Sequence, residues 1–238
     1  MDSLNLREGE IICINKPYKV SSFGALAFVR TRLSLAAGVK RVKTGHAGTL
    51  DPLATGVLIL CTGKATKRIE QLMLHDKEYV ATLQFGATTA SFDMEHPEDA
   101  WYPKDHITEQ MVLDVLPQFQ GDIQQVPPVF SACNVKGKRA YQLARKDREV
   151  ELQPKPIHIE EIELLSFDDA TKQAQIRVVC GKGTYIRSLA RDIGVALQSG
   201  AYLTQLCRTR VGQYTLDDCL TFDSFNDWLA QHTIEPYE

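Results

Sequence analysis

The sequence predicts an α+β fold built on a mixed, largely antiparallel sheet. Segments with the two-residue period of strands are interspersed with segments of helical period, and they do not follow a strict strand–helix–strand alternation. Hydrophobic residues make up 44% of the 238 positions, which is enough to build a sizeable core. We therefore expect one compact domain over residues 1–238, with helices flanking the sheet.

The N-terminal third is predicted to arrange strands and helices around one glycine-rich loop at 45–56. Pro17 closes the first strand, and Ser21 or Ser22 caps the first helix. Tyr79 and Phe85 fall on the same face of an alternating strand. The expected elements are a strand at 10–17, a helix at 21–33, a strand at 57–63, a helix at 64–74 and a strand at 77–86.

The remaining two thirds are predicted to continue the mixed pattern. Thr108 caps a helix that Pro117 ends or kinks, and Gly200 stops a later one. The expected elements are an exposed loop at 87–99, a helix at 108–119, an extended segment at 121–132 that is the best candidate hinge, a basic helix at 138–147, strands at 157–167 and 174–180, a helix from 185, a strand at 202–212 and an acidic C-terminal helix at 225–232.

Charge is segregated along the chain although the formal net charge is only −3. Residues 30–43 carry five cations and no acid, and residues 136–148 carry six cations against one aspartate. Most basic stretches are solvated surface, but two of them together with Arg208 and Arg210 favour a face that binds a polyanion.

The six cysteines are scattered and form no CxxC pair, which is typical of free thiols in a reducing cytoplasm. No basic and apolar leader opens the sequence, and no apolar run approaches the roughly 20 residues that a bilayer-spanning helix needs. We therefore expect a cytoplasmic protein that makes no contact with a membrane.

Three familiar cofactor motifs are incomplete. CTGKATK ends like a phosphate-binding loop, but Leu58 stands where that motif needs a glycine and Ala65 where it needs a hydroxyl. CGKGTYI lacks the third glycine of a dinucleotide turn, since that position is Ile186. The six histidines are too dispersed for a zinc site. We expect neither a metal nor a nucleotide nor any other cofactor.

The stretch GHAGTLDPLATG places one carboxylate in a stiff loop. Pro52 biases Asp51 toward an extended conformation, and the glycines on either side permit tight turns and the close approach of a ligand. His46 adds a polar contact beside it. An Asp-Pro pair by itself most often marks only a turn, so other motifs decide between the two interpretations.

Those motifs make the chain similar to the TruB-type tRNA pseudouridine synthases. The resemblance rests on GHAGTLDPLATGVLILCTGKATK, and it continues in order through IICINKPYKVSSF at the N-terminal side and then KEYVATLQFGATT, PPVFSACNVKGKRAYQLAR, CGKGTYIRSLARDIG and LCRTRVG. It implies the pseudouridine-synthase fold, a long mixed sheet flanked by helices, with Asp51 in a central cleft. Many bacterial members continue into a PUA-type RNA-binding domain; here we expect a short form without it.

The resemblance also implies roles for individual residues. Asp51 is expected to be the catalytic nucleophile, Tyr79 to stack on the target base and Arg187 to pair with the aspartate. The implied substrate is the uridine of the T-arm loop of tRNA, position 55 by tRNA convention, and the protein is expected to act as a monomer. Residues expected to contact RNA are His46, Lys16, Lys40, Arg41, Lys43, Lys136, Lys138, Arg139, Lys182, Tyr185 and Arg208.

The residue chemistry agrees with an isomerisation and leaves other functions open. A carboxylate can attack either C1′ or C6 of the uridine, and the sequence does not choose between these atoms. A non-catalytic RNA-binding or tRNA-folding protein on the same scaffold is an alternative, and the complete set of Asp51, Tyr79 and Arg187 argues against it. A carbohydrate enzyme is disfavoured because it needs two convergent carboxyl groups, whereas the glycine-rich loop carries one.

Overall fold

A computed structural model describes residues 3–130, 134–135, 138–139 and 152–237. The chain forms two compact units, one made of Met1–Lys77 with Cys207–Glu238 and the other of Glu78–Leu206. The single domain predicted over 1–238 stays a prediction, because two compact units can belong to one domain or to two. Within the described residues, no helix has the length and apolar character needed to cross a membrane.

The elements up to the middle of the chain alternate as the sequence suggests. In order they are β1 (Ser3–Leu4), β2 (Ile11–Lys16), α1 (Ser22–Ala36), β3 (Thr44–His46), β4 (Thr55–Thr62), a 3₁₀ helix (Gly63–Arg68), α2 (Ile69–Leu72), β5 (Lys77–Phe85), β6 (Ala87–Thr89), β7 (Glu98–Trp101), α3 (Glu109–Val115), a second 3₁₀ helix (Leu116–Phe119) and β8 (Gly121–Gln125).

The second half contains the longest strands. In order follow β9 (Asn134–Val135), β10 (Lys138–Arg139), β11 (Lys155–Asp168), β12 (Gln173–Cys180), α4 (Ile186–Ala196), β13 (Ala201–Val211), β14 (Tyr214–Thr215), a third 3₁₀ helix (Leu216–Asp218), α5 (Phe222–Ala230) and β15 (Thr233–Ile234). The predicted basic helix at 138–147 is wrong at its start, since 138–139 are strand, and the rest of it lies outside the described residues.

The first unit is organised around β4. Residues 56–61 of this strand pair antiparallel with β2. On its other edge the strand pairs antiparallel with β3 and parallel with residues 207–208 of β13. β1 pairs parallel with β15, which ties the two ends of the described chain together. The arrangement is mixed and mostly antiparallel, as the sequence predicts.

Helix α1 covers this sheet with the help of α5. The predicted cap is confirmed, since Ser21 Oγ accepts a hydrogen bond from the Gly24 N–H, a contact worth about 1 kcal/mol. Phe28 stacks on Phe222 with ring centroids 3.9 Å apart, and Phe225 is completely buried. The C-terminal helix therefore contributes to the core of this unit.

The second unit is built on β5, β12, β11 and β8, which lie in this order. β11 pairs antiparallel with both β12 and β8. The alternation predicted for β5 is confirmed, because its odd-numbered residues from Lys77 to Phe85 are buried and the even-numbered ones are partly exposed. Residues 121–125 of the predicted extended segment are extended, and they pair as β8 with β11.

Two local predictions are wrong for identifiable reasons. The helix expected at 64–74 divides into a 3₁₀ helix and α2, because the Thr66 hydroxyl donates to the Gly63 carbonyl and competes with the α-helical pattern. Gly200 does not stop α4, which ends at Ala196. A Cβ on Gly200 would lie 2.6 Å from the Tyr102 ring, so close packing requires this glycine.

Candidate active site

Asp51 lies in the loop between β3 and β4, and this loop is anchored on both sides of the carboxylate. The Ser22 hydroxyl donates to the Leu50 carbonyl and accepts from the Leu50 N–H, both at 2.8 Å. The Ala54 N–H donates to the Asp51 carbonyl at 3.1 Å. Leu50 and Ala54 are buried while Asp51 is partly exposed. The loop thus presents its carboxylate from a fixed backbone.

Two buried cations hold the same loop. Lys16 at the end of β2 is 0% exposed, and its Nζ donates to the carbonyls of Pro17, Val20 and Pro52. Arg208 on β13 is 1% exposed; its Nε donates to the Val57 carbonyl at 2.8 Å and one terminal nitrogen donates to the Gly48 carbonyl at 3.1 Å. These two side chains fix the backbone before and after Asp51.

Both cations were predicted to contact RNA, and the structure gives them a different set of partners. Their donors are directed at backbone carbonyls within the first unit, so their contact with RNA stays a prediction. Gly56 is required here, since it has a φ of +105° and a Cβ would lie 2.2 Å from the Arg208 carbonyl oxygen. The glycine lets β4 approach the backbone of Arg208.

Burial lowers the pKa of Lys16 to about 8 from its ordinary value of 10.5. The negative charge of Asp51 acts in the opposite direction, and the positive charge of Arg208 adds to the lowering. Removal from water disfavours the ammonium form, whereas a nearby carboxylate favours it. Lys16, Asp51 and Arg208 therefore form one electrostatic cluster.

His46 belongs to this cluster as a neutral group. Burial lowers the pKa of His46, and the positive charge of Arg208 adds to the effect. Its Nδ1 is buried and has no hydrogen-bond partner among the described residues. A neutral imidazole with a free nitrogen can donate to or accept from an incoming ligand, depending on its tautomer.

The exposed cations Lys40, Arg41 and Lys43 lie at the opposite end of β4. The Lys43 carbonyl accepts a hydrogen bond from the Gly63 N–H, directly after the last residue of that strand. Over its eight residues β4 spans roughly 23 Å, so these cations are remote from the Asp51 loop. Their position is suited to binding a part of a long ligand that lies away from the group that reacts at Asp51.

In the second unit, Arg187 is buried at the start of α4. It is 4% exposed, and its terminal nitrogens donate to the carbonyls of Ser91 at 3.1 Å and Phe130 at 3.0 Å. Its Nε lies 3.7 Å from Oδ2 of Asp93, which is also buried. The guanidinium is therefore held in one orientation.

The side-chain amide of Gln125 fixes the backbone just before Arg187. Its oxygen accepts from the Tyr185 N–H at 2.9 Å, and its nitrogen donates to the Tyr185 carbonyl at 3.1 Å. Tyr185 is the N-cap residue of α4, and its own side chain makes no capping bond. Gln125 at the end of β8 supplies the missing cap.

The remaining predicted residues occupy different positions. Tyr79 is 9% exposed on the buried face of β5, and Lys182 is exposed in the turn before α4. Lys136 lies outside the described residues. Lys138 and Arg139 are described only as backbone of β10.

Sequence reasoning missed Asp93 and Gln125. Asp93 falls in the stretch 87–99, which lacks periodicity and was expected to be an exposed loop. The prediction is wrong: β6 and β7 pair within this stretch, and Ser91 and Asp93 are buried. A buried acid in an aperiodic segment leaves no periodic signal. Its carboxylate accepts hydrogen bonds from the Ser91 hydroxyl and the Glu95 N–H, and its charged partner is the distant Arg187.

The family assignment follows from comparison with known proteins. A profile described as TruB family pseudouridylate synthase (N terminal domain) matches residues 36–186, which is more than half of the chain. The chain belongs to the TruB family. A second profile, described as tRNA pseudouridylate synthase B C-terminal domain, matches residues 187–237. The expected isomerase class is thereby confirmed at the level of the family.

Curated TruB relatives match along nearly the whole chain. A protein of Bacteroides thetaiotaomicron named tRNA pseudouridine synthase B is 58% identical over 98% of both chains. Proteins of the same name from Phocaeicola vulgatus and Flavobacterium johnsoniae are 58% and 44% identical, over 98% and 93% of this chain and 98% and 96% of theirs.

Solved structures confirm the TruB-type α+β fold. The chain matches a structure titled "Crystal Structure of a Cbf5-Nop10-Gar1 Complex" with a TM-score of 0.69 and 28% identity, covering 98% of this chain and 59% of that one. A structure of an H/ACA RNP bound to a substrate RNA containing 2′-deoxyuridine matches with a TM-score of 0.64 and 26% identity, covering 95% and 56%.

Proposed function

We propose that this protein isomerises uridine to pseudouridine in tRNA, at the uridine of the T-arm loop, position 55 by tRNA convention. Support comes from relatives named tRNA pseudouridine synthase B, which are up to 58% identical over 98% of both chains. The family resemblance of GHAGTLDPLATG supports the T-arm as the site.

The observation that carries the mechanism is the anchored, partly exposed carboxylate of Asp51. We assign it as the nucleophile. The reaction breaks the bond from C1′ to N1 and forms one from C1′ to C5, while the proton on C5 is lost and N1 regains one. Asp51 attacks either C1′ or C6, and both routes start from the ionised carboxylate. Lys16 and Arg208 place two buried positive charges beside the loop that carries this carboxylate.

Arg187 and Tyr79 receive the roles that the family resemblance implies. Arg187 pairs with Asp51 and offsets its charge, and a guanidinium keeps its proton in such a site. Tyr79 stacks on the flipped base, an interaction worth about 1 to 3 kcal/mol. Flipping the base out of its loop costs a few kcal/mol, which stacking and the phosphate contacts offset.

The isomerisation is balanced within one nucleoside, so it needs no oxidant, no reductant and no atom from outside. We therefore propose that the reaction runs without metal or other cofactor. Affinity for tRNA would come from exposed cations such as Lys40, Arg41, Lys43 and Lys182. Action as a monomer in the cytoplasm stays a prediction.

The test uses purified protein, unmodified tRNA transcript and no added metal or nucleotide. Pseudouridine is located by carbodiimide-blocked primer extension, with the Asp51→Asn variant as the isosteric control. We expect a stop at the T-arm uridine for the wild type and none for the variant. Because one carboxylate adds little to phosphate-dominated binding, we expect the variant to bind tRNA within about tenfold of the wild type.

Each contrary result rejects a specific part of the proposal. A wild-type stop at another uridine would reject the T-arm site. Turnover by Asp51→Asn at a rate near that of the wild type would reject the nucleophile. If the wild type binds tRNA and forms no pseudouridine, the folding-factor alternative replaces the enzyme.

A further inference from the structure

A patch of aromatic and basic side chains lies in the turn before α1 and along the first nine residues of that helix. It consists of Tyr18, Lys19, Phe23 and Arg30, and we call it the basic aromatic patch. Tyr18 is 46% exposed and Phe23 is 63% exposed. Lys19 Nζ lies 5.5 Å from the centroid of the Tyr18 ring, and Arg30 Cζ lies 5.6 Å from that of Phe23. Each ring therefore has a cation beside it.

The patch is close to the Asp51 loop. Ser22, the neighbour of Phe23, forms two hydrogen bonds with Leu50, the neighbour of Asp51. Bond lengths along this path keep the Cα atoms of Phe23 and Asp51 within roughly 15 Å of each other. Lys16, which donates to the carbonyls of Pro17 and Val20, holds the turn that carries Tyr18 and Lys19.

The surrounding sequence is strongly positive although the protein is acidic overall. Residues 11–50 contain seven cations and no acid, whereas the formal net charge of the chain is −3. Asp51 is the first acidic residue after this stretch. Such segregation attracts a polyanion to this part of the first unit.

We propose that the basic aromatic patch binds a nucleotide near the target uridine in the same RNA loop. A base stacks on Phe23, the more exposed of the two rings, and Lys19 and Arg30 contact the adjoining phosphates. The inference rests on the proposed function, because it takes the ligand of the Asp51 loop to be RNA.

Unpaired RNA fits this surface better than a duplex or a protein does. Bases in RNA loops are splayed out and stack on aromatic rings, whereas the bases of a duplex are already stacked on one another. The charge favours a polyanion over a protein partner, because residues 11–50 contain seven cations and no acid and a cation lies beside each ring. The patch therefore increases the affinity for the RNA loop by binding a nucleotide other than the reacting uridine.

The test compares three substitutions at Phe23. Phe23→Ala removes the ring, Phe23→Leu keeps apolar area without a π face, and Phe23→Trp keeps a ring. We expect Ala and Leu to weaken binding of unmodified tRNA transcript by about 5- to 100-fold, and Trp to stay within about twofold of the wild type.

Leu35→Ala is the matched control. Leu35 is 83% exposed on the same helix, and twelve residues of helical rise place it about 18 Å from Phe23. We expect its affinity for tRNA to equal that of the wild type. The thermal midpoints of all variants are compared to confirm that each one is folded.

Two outcomes overturn the inference and a third belongs to the proposed function. If Phe23→Ala binds tRNA within about twofold of the wild type, the patch does not contact RNA. If Phe23→Leu binds as well as Phe23→Trp, the ring does not stack on a base. If the wild type forms no pseudouridine in this transcript, the proposed function fails, whereas the binding comparison still decides the role of the patch.

Discussion

Arg208 is a cation whose donors are used by backbone carbonyls and whose surface is hidden from solvent. Replacing it in Arg208→Met leaves the carbonyls of Gly48 and Val57 without these partners. Each lost bond to a buried carbonyl costs about 1 to 3 kcal/mol, so we expect the free energy of unfolding to fall by about 2 to 4 kcal/mol. Urea denaturation measures this change.

The same variant distinguishes a positioning role from contact with phosphate. The logarithm of tRNA affinity falls linearly with the logarithm of salt concentration, and each phosphate contact adds about one unit to the slope. We expect Lys43→Ala to reduce the slope by about one and Arg208→Met to leave it unchanged. An equal reduction in both variants would restore Arg208 to the RNA-binding set.

Lys16 predicts a pH dependence of stability. Its pKa is lowered to about 8 in the folded protein from 10.5, so the unfolded chain binds more protons between these values. Stability therefore rises with pH through this window, and the cost of burying the charge is fully present below pH 8. We expect the difference in unfolding free energy between wild type and Lys16→Met to shift by about 3 kcal/mol in favour of the wild type from pH 7.5 to 10.5.

Urea titrations of the two proteins at several pH values measure this difference. Comparing them removes the contribution of other groups that titrate in the window, among them the thiol of Cys61, whose pKa burial raises to about 11. A difference that stays constant with pH would show that Lys16 keeps its ordinary pKa in the fold.

Among the structural elements, α4 depends on a neighbouring strand for its cap. Gln125 at the end of β8 bonds both backbone groups of Tyr185, two residues before Arg187. We expect Gln125→Ala to lower the free energy of unfolding by about 1 to 3 kcal/mol, because the N–H and the carbonyl of Tyr185 both lose their hydrogen bond to the Gln125 side chain. We also expect a slower single-turnover rate, since the start of α4 orients Arg187.

Gln125→Met tests the same two effects with a side chain of similar length. It loses both hydrogen bonds to Tyr185 and buries no charge, so its turnover should match that of Gln125→Ala if the hydrogen bonds orient Arg187. If both variants lose stability but turn over at the wild-type rate, the cap is structural and has no part in orienting Arg187.

Elements whose sequence pattern lies within the element itself could be predicted from the sequence. The alternation of β5 and the Ser21 cap of α1 follow from residues within each element. The burial of Asp93 does not, because its charged partner Arg187 is far away in sequence. The site shows the same division. GHAGTLDPLATG indicates the loop of Asp51, but no periodicity in the sequence indicates that Arg208 is buried.

For the whole molecule, the distance of three exposed cations from Asp51 predicts that substitutions at these cations change the affinity for tRNA and leave the rate of the chemical step unchanged. Lys40, Arg41 and Lys43 are exposed at the end of β4 away from Asp51. We expect the triple alanine variant to reduce the salt dependence of tRNA binding by about two to three units of slope. The rate at saturating protein should be unchanged, because the length of β4 separates Lys43 from Asp51.

Two measurements are needed, tRNA affinity at several salt concentrations and single-turnover formation of pseudouridine. Binding weakens uniformly across tRNA sequences if these cations contact phosphates, since phosphate contacts carry no sequence information. A loss of rate at saturating protein, with the salt slope retained, would contradict this division. Such a result would show that the three cations position the RNA loop that reacts and do not attract the RNA. Their distance from Asp51 along β4 argues against that role.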